Sequence, residues 1–383
     1  MNRLRVLFLR ADSNAEGSAR IVNGLLAYHA VEFEQYPALP AHYRYKVKTE
    51  TEWQDLHRHL IPTRQDFLKK LQQAHFDLIL LADKGGSLFE YERRSTLGKI
   101  WGILKLWANV PNYGIAETIR RYAYLSAIDI TPQALCRLAP VVVVDLNDIP
   151  YLKPGMVEVL QECKLYFKRE VPYNRFGIYH SFRSAKYRTQ ETLALLKKIR
   201  HIPLGILDST FDELSQMRTP SQDIDVFWVG QMSSTIRVKV SQYLRELASQ
   251  NRWKIVIPQE RLSFEEYCRM VARSKITVSV EGDGWDCFRH YEAVALGSLP
   301  LINTPTVDAA WWHKMPKDIY FDNDFSNFTD RIQQLLDDEA LRKACLQKME
   351  TVIKHHMVWS KIIQYIVNTS VHQSSQINEG IAL

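Results

Sequence analysis

Two short segments of the chain are apolar at almost every position, and this feature constrains the fold more than any other. They are Phe76–Ala82 (FDLILLA) and Ala139–Asp145 (APVVVVD). A strand with one face in water alternates apolar and polar residues, whereas a strand in a parallel sheet is covered on both faces and is apolar throughout. The two segments therefore predict central strands of a parallel sheet.

The alternation of strand and helix patterns runs through the chain and restarts after about residue 205. The strands predicted in the first half are Arg5–Arg10, Val31–Gln35, Phe76–Ala82, Ala139–Asp145 and Leu165–Lys168. Those predicted in the second half are Asp225–Val229, Trp253–Pro258, Ile276–Val280 and Leu299–Ile302. Such alternation predicts doubly wound α/β domains.

Amphipathic patterns between the strands predict helices that cover the sheets. They are Ala19–His29, Arg64–His75, Met156–Glu162, Thr235–Ser249, a helix opened by the capping box Ser263-x-x-Glu266, Asp286–Leu296 ended by Gly297, and a helical region from about Asp330 to Val367.

The polar stretch 203–222 is predicted to link two domains. We therefore predict an N-terminal domain at 1–204 and a C-terminal domain at 205–345. Helices within 346–383 are expected to pack back toward the first domain, followed by a frayed polar tail after Thr369.

The composition excludes several other classes of protein. Apolar runs fall far short of the roughly 20 residues that span a bilayer, and the N-terminal run Val6–Leu9 is too short for a signal peptide. The five cysteines form no CxxC pair, and no spacing of His or Cys fits a zinc site. We therefore expect a cytoplasmic protein with reduced thiols. The net charge of +6 is mild, which permits an anionic partner but makes nucleic acid an unlikely one.

The loop after Val280 carries the most informative pattern in the chain. Gly282 and Gly284 allow the backbone to pass close to a ligand, and Asp286 is placed to cap the next helix. Arg289 and Glu292 share a face of that helix, where a guanidinium suits a diphosphate and a carboxylate suits a vicinal diol. The pattern fits a nucleoside diphosphate site. The alternative is a surface turn with a salt bridge between two residues three apart.

The loop after Val229 repeats the arrangement of a strand, a turn and a helix. Gly230 begins it, the hydroxyl residues 233–235 follow, and Arg237 lies in the first turn of the helix. Hydroxyls at a helix start bind phosphate or simply cap the helix, and both interpretations stay open.

Residues 262–302 resemble the donor-binding half of GT-B glycosyltransferases, and most closely the exostosin-like and spore-maturation-protein-like group. The matching positions are Tyr267, Ser274, Lys275, Gly282, Gly284, Asp286, Arg289, Glu292, Gly297 and Pro300. The likeness extends over roughly 200–370. It implies two Rossmann-like domains facing across a cleft, with a nucleotide sugar as donor substrate and neither metal nor other cofactor.

The resemblance also implies which residues bind each substrate. The donor ligands would be Gly230, Arg237, Gly282, Gly284, Asp286, Arg289 and Glu292. The N-terminal half would hold the acceptor, a glycan, a lipid-linked sugar or another molecule. Because Gly284 stands eight residues before Glu292, where many retaining members carry glutamate, the pattern leaves retention or inversion open.

An inverting enzyme needs a general base beside the acceptor hydroxyl, on a strand-end loop of the N-terminal half. Asp12 is our candidate because it follows the first strand, and Asp83, Asp145 and Asp148 also qualify by position. Each of these acids has a plainer interpretation as a cap or a solvated loop residue. The same holds for the turn at 84–86, a candidate substrate contact.

The segment Leu97–Trp107 has an apolar stripe flanked by basic residues. Such a helix suits the surface of an anionic membrane, where it would bring the enzyme to a lipid-linked acceptor at the inner face. The alternative is a stripe that faces the protein core.

The sequence thus supports a metal-independent glycosyltransferase that uses a nucleotide-sugar donor. The alternative is a protein of the same fold that binds a nucleotide sugar or a glycan without turnover. Both functions require nucleotide binding, and only the first requires an acid in the N-terminal half.

Overall fold

The computed structural model describes most of the chain as two α/β units. The described residues are 3–10, 15–38, 50–82, 111, 115, 130–152, 154–180 and 189–379. Asp12, Asp83, the turn at 84–86 and Leu97–Trp107 lie outside them, so the predictions made for those positions stay predictions.

The first sheet has six strands within the described residues, in the order β2-β1-β3-β4-β5-β6, and its neighbouring strands are parallel. They are β1 (Leu4–Arg10), β2 (Val31–Tyr36), β3 (Leu78–Ala82), β4 (Val141–Asp145), β5 (Leu165–Lys168) and β6 (Ile199–His201). The apolar segments that predict central strands are the neighbours β3 and β4, and both are buried throughout. We call this sheet and its helices the N-terminal unit.

The second sheet is also parallel, in the order β11-β10-β9-β7-β8. Its strands are β7 (Ile224–Phe227), β8 (Ile255–Val256), β9 (Ser274–Ser279), β10 (Leu299–Asn303) and β11 (Tyr320–Phe321). One apolar cluster surrounds it. We call this sheet and its helices the C-terminal unit.

Helices cover both sheets, as the strand composition predicts. The described helices are α1 (Ala15–Ala27), α2 (Glu50–Asp55), α3 (Arg64–Gln72), α4 (Pro132–Leu138), α5 (Pro154–Glu162), α6 (Gln190–Ala194), α7 (Asp208–Gln216), α8 (Thr235–Ser249), α9 (Phe264–Ala272), α10 (Phe288–Ala295), α11 (Phe328–Asp337), α12 (Glu339–Val352) and α13 (Trp359–Glu379). The capping box at the start of α9 is confirmed, since Ser263 and Glu266 each bond the other's backbone N–H.

Several boundaries differ from the sequence prediction. Helix α7 lies inside the predicted linker, because Phe211 and Leu214 give that polar stretch a buried face. The strand predicted at Trp253–Pro258 is reduced to β8, a two-residue edge strand. Helix α13 continues to Glu379, past the point where a frayed tail is expected.

The C-terminal helix packs on the N-terminal unit. Trp359, Ile363 and other apolar residues of α13 share a buried cluster with α1. Gly24 of α1 permits the close approach, since a Cβ there would lie 2.7 Å from the carbonyl oxygen of Trp359. The chain therefore crosses between the units twice, once near Gly205 and once before α13.

Candidate donor site

The carboxyl ends of β7 and β9 lie side by side, because these strands pair in parallel through Phe227 and Thr277. The winding of the second sheet reverses between them, since β8 lies beyond β7 and β10 lies beyond β9. Doubly wound sheets bind ligands at such a reversal, outside the carboxyl ends of the strands. The loops that leave these two strands are the two loops singled out by the sequence.

Hydrogen bonds join the two loops directly. Arg237, in the first turn of α8, donates from Nε to the carbonyl of Glu281 at 3.0 Å and from Nη1 to the carbonyl of Gln231 at 3.3 Å. Ser234 Oγ donates to the same Glu281 carbonyl at 3.4 Å. The structure thus combines both loops in one site.

The charges of two guanidinium groups act on each other in this site. Burial lowers the pKa of Arg237, and the charge of Arg289 lowers it further. The guanidinium of Arg289 lies over the ring of Trp228, 5.2 Å from its centroid. Its Nε and Nη1 are buried and have no hydrogen-bond partner among the described residues. The site therefore has positive charge and unused donors.

Two of the predicted glycines leave room for side chains of the site. A Cβ on Gly282 would lie 2.6 Å from Nη2 of Arg237, and a Cβ on Gly230 would lie 3.1 Å from the ring of Trp228. Gly284 faces the other unit instead, because a Cβ there would lie 2.6 Å from Oε1 of Glu170. Contact of these glycines with a ligand stays a prediction.

Asp286 does not cap the following helix, contrary to the sequence prediction. Helix α10 begins at Phe288, and its N-cap residue is Cys287, whose side chain makes no capping hydrogen bond. The carboxylate of Asp286 accepts from Tyr291 Oη at 2.8 and 2.9 Å and from the backbone N–H of Leu204 at 2.7 Å. Asp286 is buried, so its carboxylate ties the inter-unit segment to the loop.

The first turns of α8 and α10 both lack a hydrogen bond from the side chain of the N-cap residue. The N-cap residue of α8 is Ser234, whose hydroxyl makes no capping hydrogen bond and bonds the neighbouring loop. The capping interpretation of this serine is thus wrong. Uncapped helix starts leave N–H groups and the positive end of the helix dipole available to an anion.

Glu292 lies one turn beyond Arg289 and is held by a half-buried tyrosine. Tyr267 Oη donates to Glu292 Oε2 at 2.9 Å. Burial, and then the charge of Glu292, raise the pKa of Tyr267 well above its usual value, so the phenol keeps its proton and remains a donor. The half-buried carboxylate is thus fixed in orientation. Its contact with a diol stays a prediction.

The acids described at the strand ends of the N-terminal unit are bound to other residues. Asp145 is buried, with its Oδ2 3.0 Å from Lys168 Nζ and 2.7 Å from Tyr166 Oη. Asp148 pairs with Arg169 at 2.7 Å. These contacts give both carboxylates structural partners, which weakens their candidacy as a general base.

Two residues after β5 reach the site, and the sequence analysis missed them. Glu170 Oε1 accepts from the backbone N–H of Asp286 at 3.1 Å, and Arg169 donates to the carbonyl of the same residue. Burial raises the pKa of Glu170 to about 7, the charge of Arg169 lowers it, and the charge of Asp286 raises it. Their position directly after β5 is the sequence feature that indicates a site residue. Consecutive charged residues such as Arg169 and Glu170 are usually exposed to solvent, which favours the other interpretation.

A third missed residue comes from α1. The guanidinium of Arg20 lies over the ring of Phe288, 4.3 Å from its centroid. Phe288 is the first residue of α10 and precedes Arg289. The N-terminal unit thus adds a further cation beside the site.

A separate cavity of about 650 Å³ lies at the amino ends of β1 and β2, lined by Arg5, His29 and Glu32 among others. It is at the edge of the first sheet opposite to the strand ends that bind ligands in this class of fold, so we do not place the donor there. Among the described residues, no group of three or more His, Cys, Asp or Glu side chains is arranged to hold a metal ion.

Comparison with solved structures identifies the fold. A glycosyltransferase from Rickettsia africae ESF-5 superposes with a TM-score of 0.53 at 11% identity, over 97% of this chain and 98% of that one. An α,α-trehalose 6-phosphate synthase from Burkholderia multivorans superposes with a TM-score of 0.50 at 11% identity, over 98% and 100% of the two chains. The chain has the GT-B fold. The predicted pair of Rossmann-like units is confirmed.

A family model locates the likeness within this GT-B chain. Residues 231–316 match the model of the RXYLT1 C-terminal domain. That range contains Arg237, the glycine turn, Arg289 and Glu292, and it supports the resemblance to the exostosin-like group. No curated protein sequence matches the chain. None of the described helices is long and apolar enough to cross a membrane.

Proposed function

We propose that this protein transfers a sugar from a nucleotide-diphosphate donor to an acceptor, and that the diphosphate binds between Arg237 and Arg289. The observation that carries the proposal is the pair of interacting guanidinium groups, one with two buried nitrogens that lack hydrogen-bond partners. Like charges that are buried and unpaired are unfavourable. A bound diphosphate would neutralise both and accept the unused hydrogen bonds.

The helix starts support the same ligand. Helices α8 and α10 both begin at this site, and neither has a side-chain cap. Their N–H groups and dipoles would favour the negative charge of the phosphates.

The arrangement suits the chemistry of glycosyl transfer. Negative charge develops on the leaving diphosphate as the bond to the anomeric carbon breaks, and preorganised positive groups stabilise it. Arg237, Arg289 and the two helix starts would do this without a metal ion. Glu292, held by Tyr267, would accept hydrogen bonds from a diol of the donor.

The N-terminal unit would then hold the acceptor. Its winding reverses between β1 and β3, and acceptor binding is expected beyond those strand ends. Asp12 follows β1 and remains our candidate for the general base of an inverting reaction. The acceptor would be a glycan, a lipid-linked sugar or a related molecule.

A thermal-shift screen of UDP, GDP, CDP, ADP and dTDP tests the donor site. A ligand at a hundred times its Kd stabilises a protein by about 2.7 kcal/mol, which raises Tm by several degrees. We expect one nucleotide to raise Tm in the wild type and to lose its effect in Arg289→Ala. Arg245→Ala, an exposed arginine on α8, is the matched control and should respond as the wild type does.

The same screen on Glu292→Gln sharpens the result. Glutamine keeps an acceptor for Tyr267 Oη and so preserves the fold, whereas alanine would leave that buried hydroxyl unpaired. We expect a smaller rise in Tm with the nucleotide that stabilises the wild type, with Glu246→Gln as an exposed control. A folded wild type that responds to none of the five nucleotides would contradict the proposal. Nucleotide binding without any sugar transfer would instead support a non-catalytic binding protein.

A further inference from the structure

The loop that carries the donor residues is held by the other unit of the molecule. Glu170 Oε1 accepts from the backbone N–H of Asp286 at 3.1 Å, and Arg169 donates to the backbone carbonyl of Asp286. Two consecutive side chains of the N-terminal unit thus bind both backbone groups of a single residue in the loop.

The contact is buried and closely fitted. Glu170 is 1% exposed, and Arg169 also pairs with Asp148 at 2.7 Å. A Cβ on Gly284 would lie 2.6 Å from Glu170 Oε1 and 3.0 Å from the carbonyl oxygen of Asp148. The glycine therefore allows the loop to approach the N-terminal unit.

This contact satisfies a backbone group that lies just outside the helix. Asp286 precedes the N-cap residue Cys287, so the bond to its N–H holds the turn before α10 and leaves the first-turn N–H groups of the helix uncapped. Glu170 is the acceptor for this N–H, three residues before Arg289. A change at Glu170 would therefore alter the position of Arg289 relative to Arg237.

We propose that Glu170 is a positioning residue for the donor site, which holds the turn 281–287 so that Arg289 and the start of α10 meet the diphosphate. This inference rests on the proposed function, because the ligand whose binding Glu170 would strengthen is the nucleotide-sugar donor. It makes donor affinity depend on a contact between the two units. Glu170 acts through the loop and is not assigned to the reacting atoms.

The buried environment of Glu170 supports a role beyond folding. Its Oε2 is buried and has no hydrogen-bond partner among the described residues. Oε1 also pairs with Arg169 Nε at 3.5 Å, so only Oε2 is uncompensated, and a buried oxygen without a hydrogen bond does not favour the folded state. A buried carboxyl that does not favour the folded state is expected at a functional site, and here it would orient a binding loop.

Hydrogen exchange of the turn tests the structural step without any ligand. The variants are Glu170→Ala, Glu170→Gln and Glu162→Ala, the last an exposed acid of the same unit as control. At about pH 8, above the pKa of Glu170, the acceptor is a charged carboxylate and the hydrogen bond contributes about 1.5–3 kcal/mol, so its loss should speed exchange at Asp286 about tenfold or more in the alanine variant. Glutamine keeps an acceptor and should restore exchange to within about threefold of the wild type.

Nucleotide affinity tests the functional step on the same folded variants. The probe is whichever of UDP, GDP, CDP, ADP and dTDP stabilises the wild type. We expect the Kd to rise about tenfold in Glu170→Ala, to recover in Glu170→Gln and to be unchanged in Glu162→Ala. Recovery by glutamine is the result that a general loss of stability would not give.

The outcomes separate this inference from the function on which it rests. Unchanged exchange in a folded Glu170→Ala would overturn the inference and leave the donor site standing. Faster exchange with an unchanged Kd would also overturn it, since the loop position would then not matter to the site. A wild type that binds none of the five nucleotides would overturn both.

Discussion

The two units differ in how they treat charges at the carboxyl ends of their strands. In the N-terminal unit, Asp145 and Lys168 leave adjacent strands β4 and β5 and pair with each other in a buried contact of 3.0 Å. In the C-terminal unit, Arg237 and Arg289 follow the adjacent strands β7 and β9 and carry the same sign. A buried pair needs both of its members, because removing one leaves a charge uncompensated, whereas like charges without a counter-ion are expected where a ligand neutralises them.

The comparison is informative because the architecture is shared. Both sheets are parallel and doubly wound, so both place strand-end residues at a ligand-binding edge. The difference therefore lies in the chemistry of the loops and not in the fold. The following variants test it, from the largest expected effect on stability to the smallest.

Lys168→Met should cost the most stability. The Lys168 and Asp145 side chains are 0% and 4% exposed, so removal of the lysine leaves a buried carboxylate without its cation. Breaking such a pair typically costs about 3–5 kcal/mol in the free energy of unfolding, measurable by urea denaturation. A loss under about 1 kcal/mol would show that the pair is not structural.

A double variant, Asp145→Leu with Lys168→Met, provides the matched control. Replacing both members of a buried pair by apolar residues is often close to neutral. The double variant should therefore recover most of the stability that the single variant loses, apart from the hydrogen bonds that Asp145 accepts from Tyr166 Oη and from the backbone N–H of Asn147.

Glu170→Gln should change how stability depends on pH. Burial raises the pKa of Glu170 in the folded protein to about 7, from a usual value near 4.5, with Arg169 and Asp286 as the charges beside it. The folded state then holds the proton more tightly than the unfolded chain. The stabilisation from this proton is complete below about pH 4.5 and is lost as the pH rises through 7, a change of about 3 kcal/mol.

Urea denaturation between pH 5 and pH 8 measures this change. The free energy of unfolding of the wild type should fall with rising pH relative to that of the glutamine variant, which does not titrate at this position. Parallel pH profiles would show that Glu170 titrates in the folded protein as it does in water.

Arg289→Met should have the smallest effect and the opposite sign. The variant removes buried nitrogens without partners and relieves repulsion with Arg237, at the loss of the contact with Trp228. We expect the unliganded protein to gain about 0.5–1 kcal/mol while its response to nucleotide falls, as at other sites that trade stability for binding. Destabilisation by more than about 1 kcal/mol in urea would show that Arg289 supports the fold instead.

The sequence predicts the central strands of the sheets well, because a strand that is buried on both faces is apolar at almost every position. FDLILLA and APVVVVD are apolar since helices cover both faces of β3 and β4. The sequence predicts short edge strands poorly, because a half-buried edge strand is not apolar throughout. The two-residue strand β8 is an example.

The sequence also indicates both loops of the candidate donor site, because a glycine, a helix start and an arginine follow each strand. Its prediction that Asp286 caps α10 is wrong for a physical reason. An acidic residue just before a helix usually caps that helix. The carboxylate of Asp286 instead accepts hydrogen bonds from Tyr291 Oη and from the backbone N–H of Leu204, and only the folded chain brings Leu204 close to it.

By itself, then, the sequence determines the parallel sheets and the loops that follow their strands, since periodicity and burial are local properties of the chain. The tertiary structure alone decides which charges are paired. Lys168 pairs with Asp145, Glu170 contacts the turn before α10, and the charge of Arg289 acts on Arg237 without pairing with it. These contacts join residues distant in the chain, and electrostatic energy depends on the distance and burial that folding imposes.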